Sequence, residues 1–71
     1  MKKGTLAALK AACRKMRVGT ELYFELTEEP QRYQLALMAA ELSSEDKTYS
    51  FLRNGKVVHV SCYVPFSRSR T

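Results

Sequence analysis

The dipeptide Asn54-Gly55 lies between two runs rich in β-branched and aromatic residues, and it constrains the fold of this chain more than any other feature. Asn-Gly favours the positive φ angles of a type I′ turn, which joins two antiparallel strands directly. The sequence therefore predicts a hairpin with strands over residues 47–53 and 56–64. The two-residue turn also fixes the register of the two strands.

This register predicts which side chains of the hairpin face the core. One face carries the cross-strand pairs Arg53–Lys56, Phe51–Val58 and Tyr49–Val60. The other face carries Leu52–Val57, Ser50–His59 and Thr48–Ser61. The first face is apolar below its tip, and we expect it to lie on the core. Arg53 and Lys56 then face each other at the tip, where like charges repel by roughly some tenths of a kcal/mol.

Two helical interpretations of the same region compete with the hairpin. Residues 43–55 could instead form a short capped helix with Gly55 as its stop. A helix-turn-helix over residues 37–55 is disfavoured because its turn has no glycine. In addition, Glu45 and Asp46 would begin the helix that has to enter a negatively charged groove.

Two amphipathic patterns precede the hairpin. Thr5 can cap a helix that runs to about Arg17, and Gly19 follows as a plausible stop. The apolar stripe of this helix consists of Leu6, Leu9, Cys13 and Met16. Residues 20–27 alternate between apolar and polar side chains, which predicts a half-buried strand. Its core side carries Leu22, Phe24 and Leu26, and its outer side carries Glu21, Tyr23 and Glu25.

The segment 29–42 fits two structures. Its Ala, Leu, Met, Gln and Glu residues favour a helix, and Pro30 is suited to the entry of that helix. However, Tyr33, Leu35 and Leu37 also alternate as in a strand, so the segment could be a fourth strand. We therefore expect an α+β fold in which an N-terminal amphipathic helix packs on a small antiparallel sheet. Residues 1–66 should form one domain, and residues 67–71 a mobile basic tail.

Charge is distributed unevenly along the 71 residues, whose formal net charge is +5. Residues 1–20 hold six basic residues and no acid, residues 21–46 hold all seven acids, and residues 47–71 hold five basic residues. This segregation suggests a basic surface shared by the two ends of the chain. The candidate contacts for a nucleic acid are Lys10, Arg14, Lys15, Arg17, Arg53, Lys56, Arg68 and Arg70. Cations in the last turn of the first helix would in any case complement its dipole.

The resulting hypothesis is a small nucleic-acid-binding protein, either DNA- or RNA-binding, of the kind found in bacterial or phage regulation. It requires the basic ends to fold onto one side, free of neighbouring glutamates. If they do not, a protein-interaction module such as an inhibitor or adaptor is favoured, with an acidic protein as partner. Its acidic middle, which includes Glu28 and Glu29, could also contact a basic partner. Homodimerisation through a strand edge or the apolar helix faces is compatible with both.

Other classes of function have little support in the sequence. His59 is the only histidine, the glycines are isolated, and no pattern of catalytic residues is present, so we expect no enzyme and no cofactor. Cys13 and Cys62 lack metal-ligand spacing and should be free, buried thiols rather than a metal site.

A lipoprotein signal ending at Cys13 is rejected because Lys10 interrupts its apolar core. We expect no membrane span and a cytoplasmic protein. Tyr63 and Phe66 are the remaining candidates for base stacking.

Overall fold

The computed structural model describes residues 1–44 and 46–64, and it has the predicted α+β fold. The elements follow in the order β1 (Lys2–Gly4), α1 (Leu6–Arg14), β2 (Glu21–Leu26), α2 (Arg32–Leu42), β3 (Thr48–Asn54) and β4 (Val57–Tyr63). The four strands form one sheet in the order β1-β2-β4-β3. The β1–β2 pair is parallel, and the other two pairs are antiparallel. The sheet is therefore mixed, whereas the sequence suggested only antiparallel pairing.

The first strand, β1, was not predicted. It is only three residues long, and its two lysines give no apolar alternation. Gly4 ends β1 and explains how α1 can follow so closely. A Cβ atom at Gly4 would lie 3.1 Å from the Cβ of Ala8 and 3.3 Å from the Phe24 ring. The absence of a side chain there lets the helix turn back tightly over the sheet.

The first helix, α1, begins where the sequence predicts and ends early. The Thr5 hydroxyl accepts a hydrogen bond from the Ala8 N–H, at 3.3 Å, as expected of an N-cap. The helix ends at Arg14 rather than Arg17. Gly19, at φ +90°, belongs to a separate turn in which the Thr20 N–H donates to the Arg17 carbonyl. The glycine is thus needed for the loop into β2 and not for the helix end.

Residues 32–42 are helical, so the strand alternative for this segment is wrong. The α2 helix begins at Arg32, later than residue 29, because Pro30 precedes the helix instead of lying in its first turn. Gln31 is the N-cap residue, and its N–H donates to the side chain of Gln34 at 2.9 Å. That bond satisfies one donor at the helix start.

The C-terminal hairpin is present, but its register differs from the prediction by two residues. Gly55 and Lys56 form the turn, with Asn54 paired to Val57. Gly55 has φ +64°, and no residue other than glycine has a positive φ angle, among those described. This pattern fits a type II′ turn, which has glycine at its first central position, and not type I′.

The change in register has two consequences for the hairpin. Arg53 pairs with Val58, so it does not face Lys56. His59 pairs with Leu52 instead of Ser50. A shift of two residues keeps every side chain on its predicted face, and Tyr49 accordingly lies on the core. Because residues 48–54 form a strand, both helical interpretations of this region are wrong.

Both helices cover one face of the sheet and leave the other face open. The buried core combines residues from both helices with alternate residues of β2 and β4 and with Tyr49 of β3. Its members are Leu9, Cys13, Phe24, Leu26, Leu35, Met38, Tyr49, Val58, Val60 and Cys62. On the open face, the side chains of Tyr23 and Leu52 are 53% and 68% exposed. The outer strands of the sheet, β1 and β3, each have one unpaired edge.

Candidate interaction surfaces

Of the predicted basic residues that the structure describes, those at the end of α1 and those of the hairpin lie at opposite ends of the sheet. At the hairpin end, the Leu26 N–H donates to the Lys56 carbonyl at 2.8 Å. At the other end, the Lys47 ammonium donates to the Met16 carbonyl and the Tyr49 hydroxyl to the Cys13 carbonyl, both at 2.8 Å. The cations at the end of α1 are therefore separated by the length of the strands from those of the hairpin turn.

Two of the candidate cations are also engaged by glutamates. The Arg53 guanidinium lies 3.5 Å from the Glu29 carboxylate and donates to the Pro30 carbonyl at 2.8 Å. The Lys10 ammonium is bonded to Glu41, and this bond lowers the pKa of the Glu41 carboxyl. Arg68 and Arg70 lie outside the described residues. The six candidates within the described residues therefore do not form one continuous surface.

The outer edge of β3 exposes backbone groups for further pairing. Its residue Tyr49 lies opposite Cys62 in β4. The Cys62 N–H donates to the Thr20 carbonyl at 3.1 Å, on the far side from β3, so these two residues do not bond to each other. Consistently, the Tyr49 N–H donates to the Ser43 hydroxyl at 3.4 Å. Backbone direction alternates along a strand, so Phe51 also directs its N–H and C=O away from β4.

A groove of about 480 Å³ runs beside this edge, between α2 and β3. Apolar residues form most of its lining: Leu35, Ala36, Ala39, Phe51 and Leu52. Alanine at two helical positions spaced by three residues leaves room above the strand. Arg32, in the first turn of α2, and Arg53, in the last part of β3, supply its positive charge.

A second groove, of about 370 Å³, lies at the opposite edge, between β1 and α1. It is lined by the basic residues Lys2, Lys3 and Lys15 together with Ala8, Ala11, Ala12 and Phe24. None of these lining residues is acidic. Within residues 1–44 and 46–64, the only carboxylate that pairs with one of these three lysines is that of Glu25, 4.0 Å from the Lys3 ammonium.

The open face of the sheet carries a stacked pair of rings at its centre. Tyr23 and His59, on neighbouring strands, have ring centroids 4.4 Å apart and are nearly parallel. The Nε2 atom of His59 lies 2.9 Å from the Glu21 carboxylate. Tyr63 is 42% exposed, whereas Phe66 is outside the described residues. A carboxylate bonded to the central ring makes this face a poor match for phosphates.

The two cysteines are free and buried, as predicted. Burial raises the pKa of the Cys13 thiol to about 11, and the nearby Cys62 adds to the effect. Within residues 1–44 and 46–64, no group of three or more metal-ligating side chains occurs. In the same part of the chain, neither helix is long and apolar enough to cross a bilayer.

Sequence reasoning missed both grooves. Lys2 and Lys3 were counted in the basic N-terminal segment, but nothing in the sequence placed them on a strand beside α1. Arg32 was the single base of the acidic segment and was not selected.

Comparison of the chain with protein families, with curated proteins and with solved structures finds no match. The functional argument therefore rests on the geometry of these surfaces alone.

Proposed function

We propose that this protein is a non-catalytic interaction module that binds an extended segment of a partner protein along β3. The observation that carries the proposal is a seven-residue edge strand with outward-facing backbone groups next to an apolar groove. An added strand would gain main-chain hydrogen bonds from Phe51 and Arg53, whose backbone groups point away from β4. The groove would select among segments through their side chains. An edge of this length that stays unpaired is otherwise a risk for aggregation.

The lining of the groove defines the chemistry of the partner. The small side chains of Ala36 and Ala39 leave space for an aliphatic side chain over Leu35. Arg53 already bonds to Pro30 and Glu29. Arg32, by contrast, has no ion pair with any carboxylate of the described residues. An acidic side chain near Arg32 would complete the match, so the partner segment is extended, aliphatic and acidic.

Two alternatives account for less of this geometry. A polyanion bound across both basic ends would have to span opposite ends of the sheet and displace Glu29 from Arg53. A second copy of the chain at β3 would bring another Arg32 and Arg53 to an edge that is already basic. The formal net charge of +5 also opposes self-association and favours an acidic partner.

The proposal can be tested with a displayed library of random peptides. Selection should enrich peptides that combine aliphatic and acidic residues. Their binding should shift the amide resonances of Phe51 and Arg53, because an added strand bonds to that edge. Ala36→Leu fills the groove and should weaken binding at least about tenfold, in line with a blocked anchoring pocket. Arg32→Gln should weaken acidic peptides and leave neutral ones unchanged.

Ala40→Leu is the matched control. Ala40 is exposed on the same helix and does not line the groove, so its substitution should leave peptide binding intact. The proposal fails if Ala36→Leu and Ala40→Leu behave alike, or if no peptide is enriched. It also fails if sedimentation shows that the chain self-associates and that Ala36→Leu abolishes the association. In that case a second copy occupies β3.

A further inference from the structure

We propose that the groove between β1 and α1 binds the phosphodiester backbone of a nucleic acid. This site is distinct from the β3 edge and from the two-ended surface suggested by the sequence. Three lysines line this groove and come from two parts of the fold: Lys2 and Lys3 belong to β1, and Lys15 is the C-cap of α1. Of the six cations selected from the sequence that lie within the described residues, Lys15 alone lines it.

The local structure explains how these three lysines come to line one groove. Lys2 lies beside Phe24 in the sheet, and Phe24 is buried under the helices, so Lys2 is on the helix side of β1. Lys3 pairs with Glu25 and lies on the opposite face, at the rim. Lys15 directly follows α1 as its C-cap. Small alanines along this side of α1 keep the space between the lysines open.

A structural role accounts for only part of this arrangement. Lys15 complements the dipole of α1 at its C-terminal end, as any cation there would. Lys2 and Lys3 have no such role, because they belong to an edge strand. Neither Lys2 nor Lys15 pairs with a carboxylate of the described chain. Lys2 and Lys15 both line the groove, and a bound anion would compensate their like charges.

The exposure of these lysines indicates a polyanion and not a small free anion. All three side chains are in contact with solvent. A single exposed ion pair contributes little, because water and salt screen it. A nucleic acid gains from each phosphate that is neutralised, since every contact releases condensed counterions. Several weak contacts along one backbone can therefore produce measurable affinity.

Fluorescence anisotropy with short, mixed-sequence oligonucleotides tests the site. Duplex DNA, single-stranded DNA and single-stranded RNA are titrated separately at about 50 and 200 mM salt, the range in which phosphate contacts are lost. The double substitution Lys2→Gln with Lys15→Gln should weaken binding of whichever oligonucleotide the wild type binds, by about tenfold at the lower salt. For a duplex it should also reduce the slope of log K against log salt by about 2.

The matched control removes the same charge elsewhere. Arg32→Gln with Lys56→Gln lowers the net charge equally, yet neither residue lines the β1–α1 groove. It should reduce affinity no more than about twofold. Equal losses in the two variants would mean that only net charge matters and would overturn the site. Absence of wild-type binding to all three oligonucleotides at low salt would overturn it as well.

Two further readouts keep the interpretation clear. Circular dichroism must show that both double variants are folded, as expected for substitutions of exposed side chains. Inorganic phosphate at the same ionic strength should compete no better than chloride. Specific displacement of the oligonucleotide by phosphate would show a small-anion site and overturn the proposal. The groove variant should still bind the β3 peptides, so that failure of either proposal is recognised separately.

Discussion

At the scale of single residues, Cys13 connects α1 to the rest of the core. It is fully buried, and its carbonyl accepts a hydrogen bond from the Tyr49 hydroxyl at 2.8 Å. The tyrosine is itself buried, and this bond satisfies its polar group within the core. The surrounding apolar side chains disfavour a thiolate, which is why burial raises the pKa of the Cys13 thiol to about 11.

Stability should therefore decrease with pH in the alkaline range because of Cys13. The thiol titrates at its ordinary value of 9.0 when unfolded and at about 11 when folded, so the folded state holds the proton longer. The protonated thiol stabilises the folded state in full below pH 9, and this stabilisation is lost as the pH rises through 11. The loss is about 1.4 kcal/mol per pH unit across that window.

Denaturant unfolding of the wild type and Cys13→Ala between pH 8 and 11.5 measures this effect. The stability difference between the two proteins should narrow above pH 9, because only the wild type has the thiol to ionise. Lysines and tyrosines titrate in both proteins, so their effects cancel in the difference. A difference that stays constant over the whole range would contradict the raised pKa.

Single residues also show where sequence reasoning stops. The Thr5 cap and the free, buried state of Cys13 follow from local pattern and were predicted. The Lys10–Glu41 ion pair joins residues 31 positions apart, and no local pattern reveals it. No local pattern reveals the ion pair between Arg53 and Glu29 either. Whether a cation is available to a ligand depends on such distant partners, so the candidate site was less predictable than the core.

At the scale of elements, the β3–β4 hairpin was predicted from Asn54-Gly55, yet the turn uses Gly55 and Lys56. Both turns place Gly55 at a positive φ angle, but a type I′ turn would require a positive φ at Asn54 as well, whereas a type II′ turn requires it only at the glycine. The observed turn gives seven residues to each strand and separates Arg53 from Lys56. The alternation of apolar residues fixed the faces but could not choose between registers two residues apart.

Gly55→Ala should destabilise the protein by about 1 to 2 kcal/mol. The residue has φ +64°, and a Cβ atom is strained in this left-handed region. Because no atom lies within 4 Å of the position that such a Cβ would take, the cost is conformational and not steric crowding. Urea unfolding of the variant against the wild type gives the change in free energy.

Lys56→Ala is the control for this prediction. It changes the adjacent turn position, which does not have a positive φ angle. Its stability should stay within about 0.5 kcal/mol of the wild type, as for most exposed substitutions. Equal destabilisation by the two alanines would mean that the loss of the lysine contacts, and not the backbone conformation of Gly55, stabilises the turn.

At the scale of the whole molecule, the charge segregation of the sequence becomes charge pairing in the fold. Acids of the central segment lie next to bases from both ends. The ion pairs are Glu25–Lys3, Glu29–Arg53 and Glu41–Lys10, and the Glu21 carboxylate is bonded to the His59 ring. Because these pairs are largely exposed, water and salt screen them, and each contributes little to the stability of the fold. They also determine which cations remain available, because Lys2, Lys15 and Arg32 are among the described cations that form no ion pair with a carboxylate.

The two proposed ligands should bind at the same time. The β1 and β3 strands are the outer strands of a four-stranded sheet, three inter-strand spacings apart. At about 4.8 Å per spacing, the two sites are separated by roughly 14 Å. This exceeds the Debye length of about 8 Å at physiological salt, so an acidic peptide on β3 should hardly affect the opposite groove.

A titration of oligonucleotide into protein saturated with a selected acidic peptide measures this independence. At physiological salt, the oligonucleotide Kd should change less than about twofold. At about 10 mM salt the Debye length approaches 30 Å, and the negative peptide should then weaken oligonucleotide binding, because the two sites fall within one electrostatic range. Mutual exclusion at physiological salt would contradict two separate surfaces, since ligands on opposite edges of the sheet have no reason to compete for space.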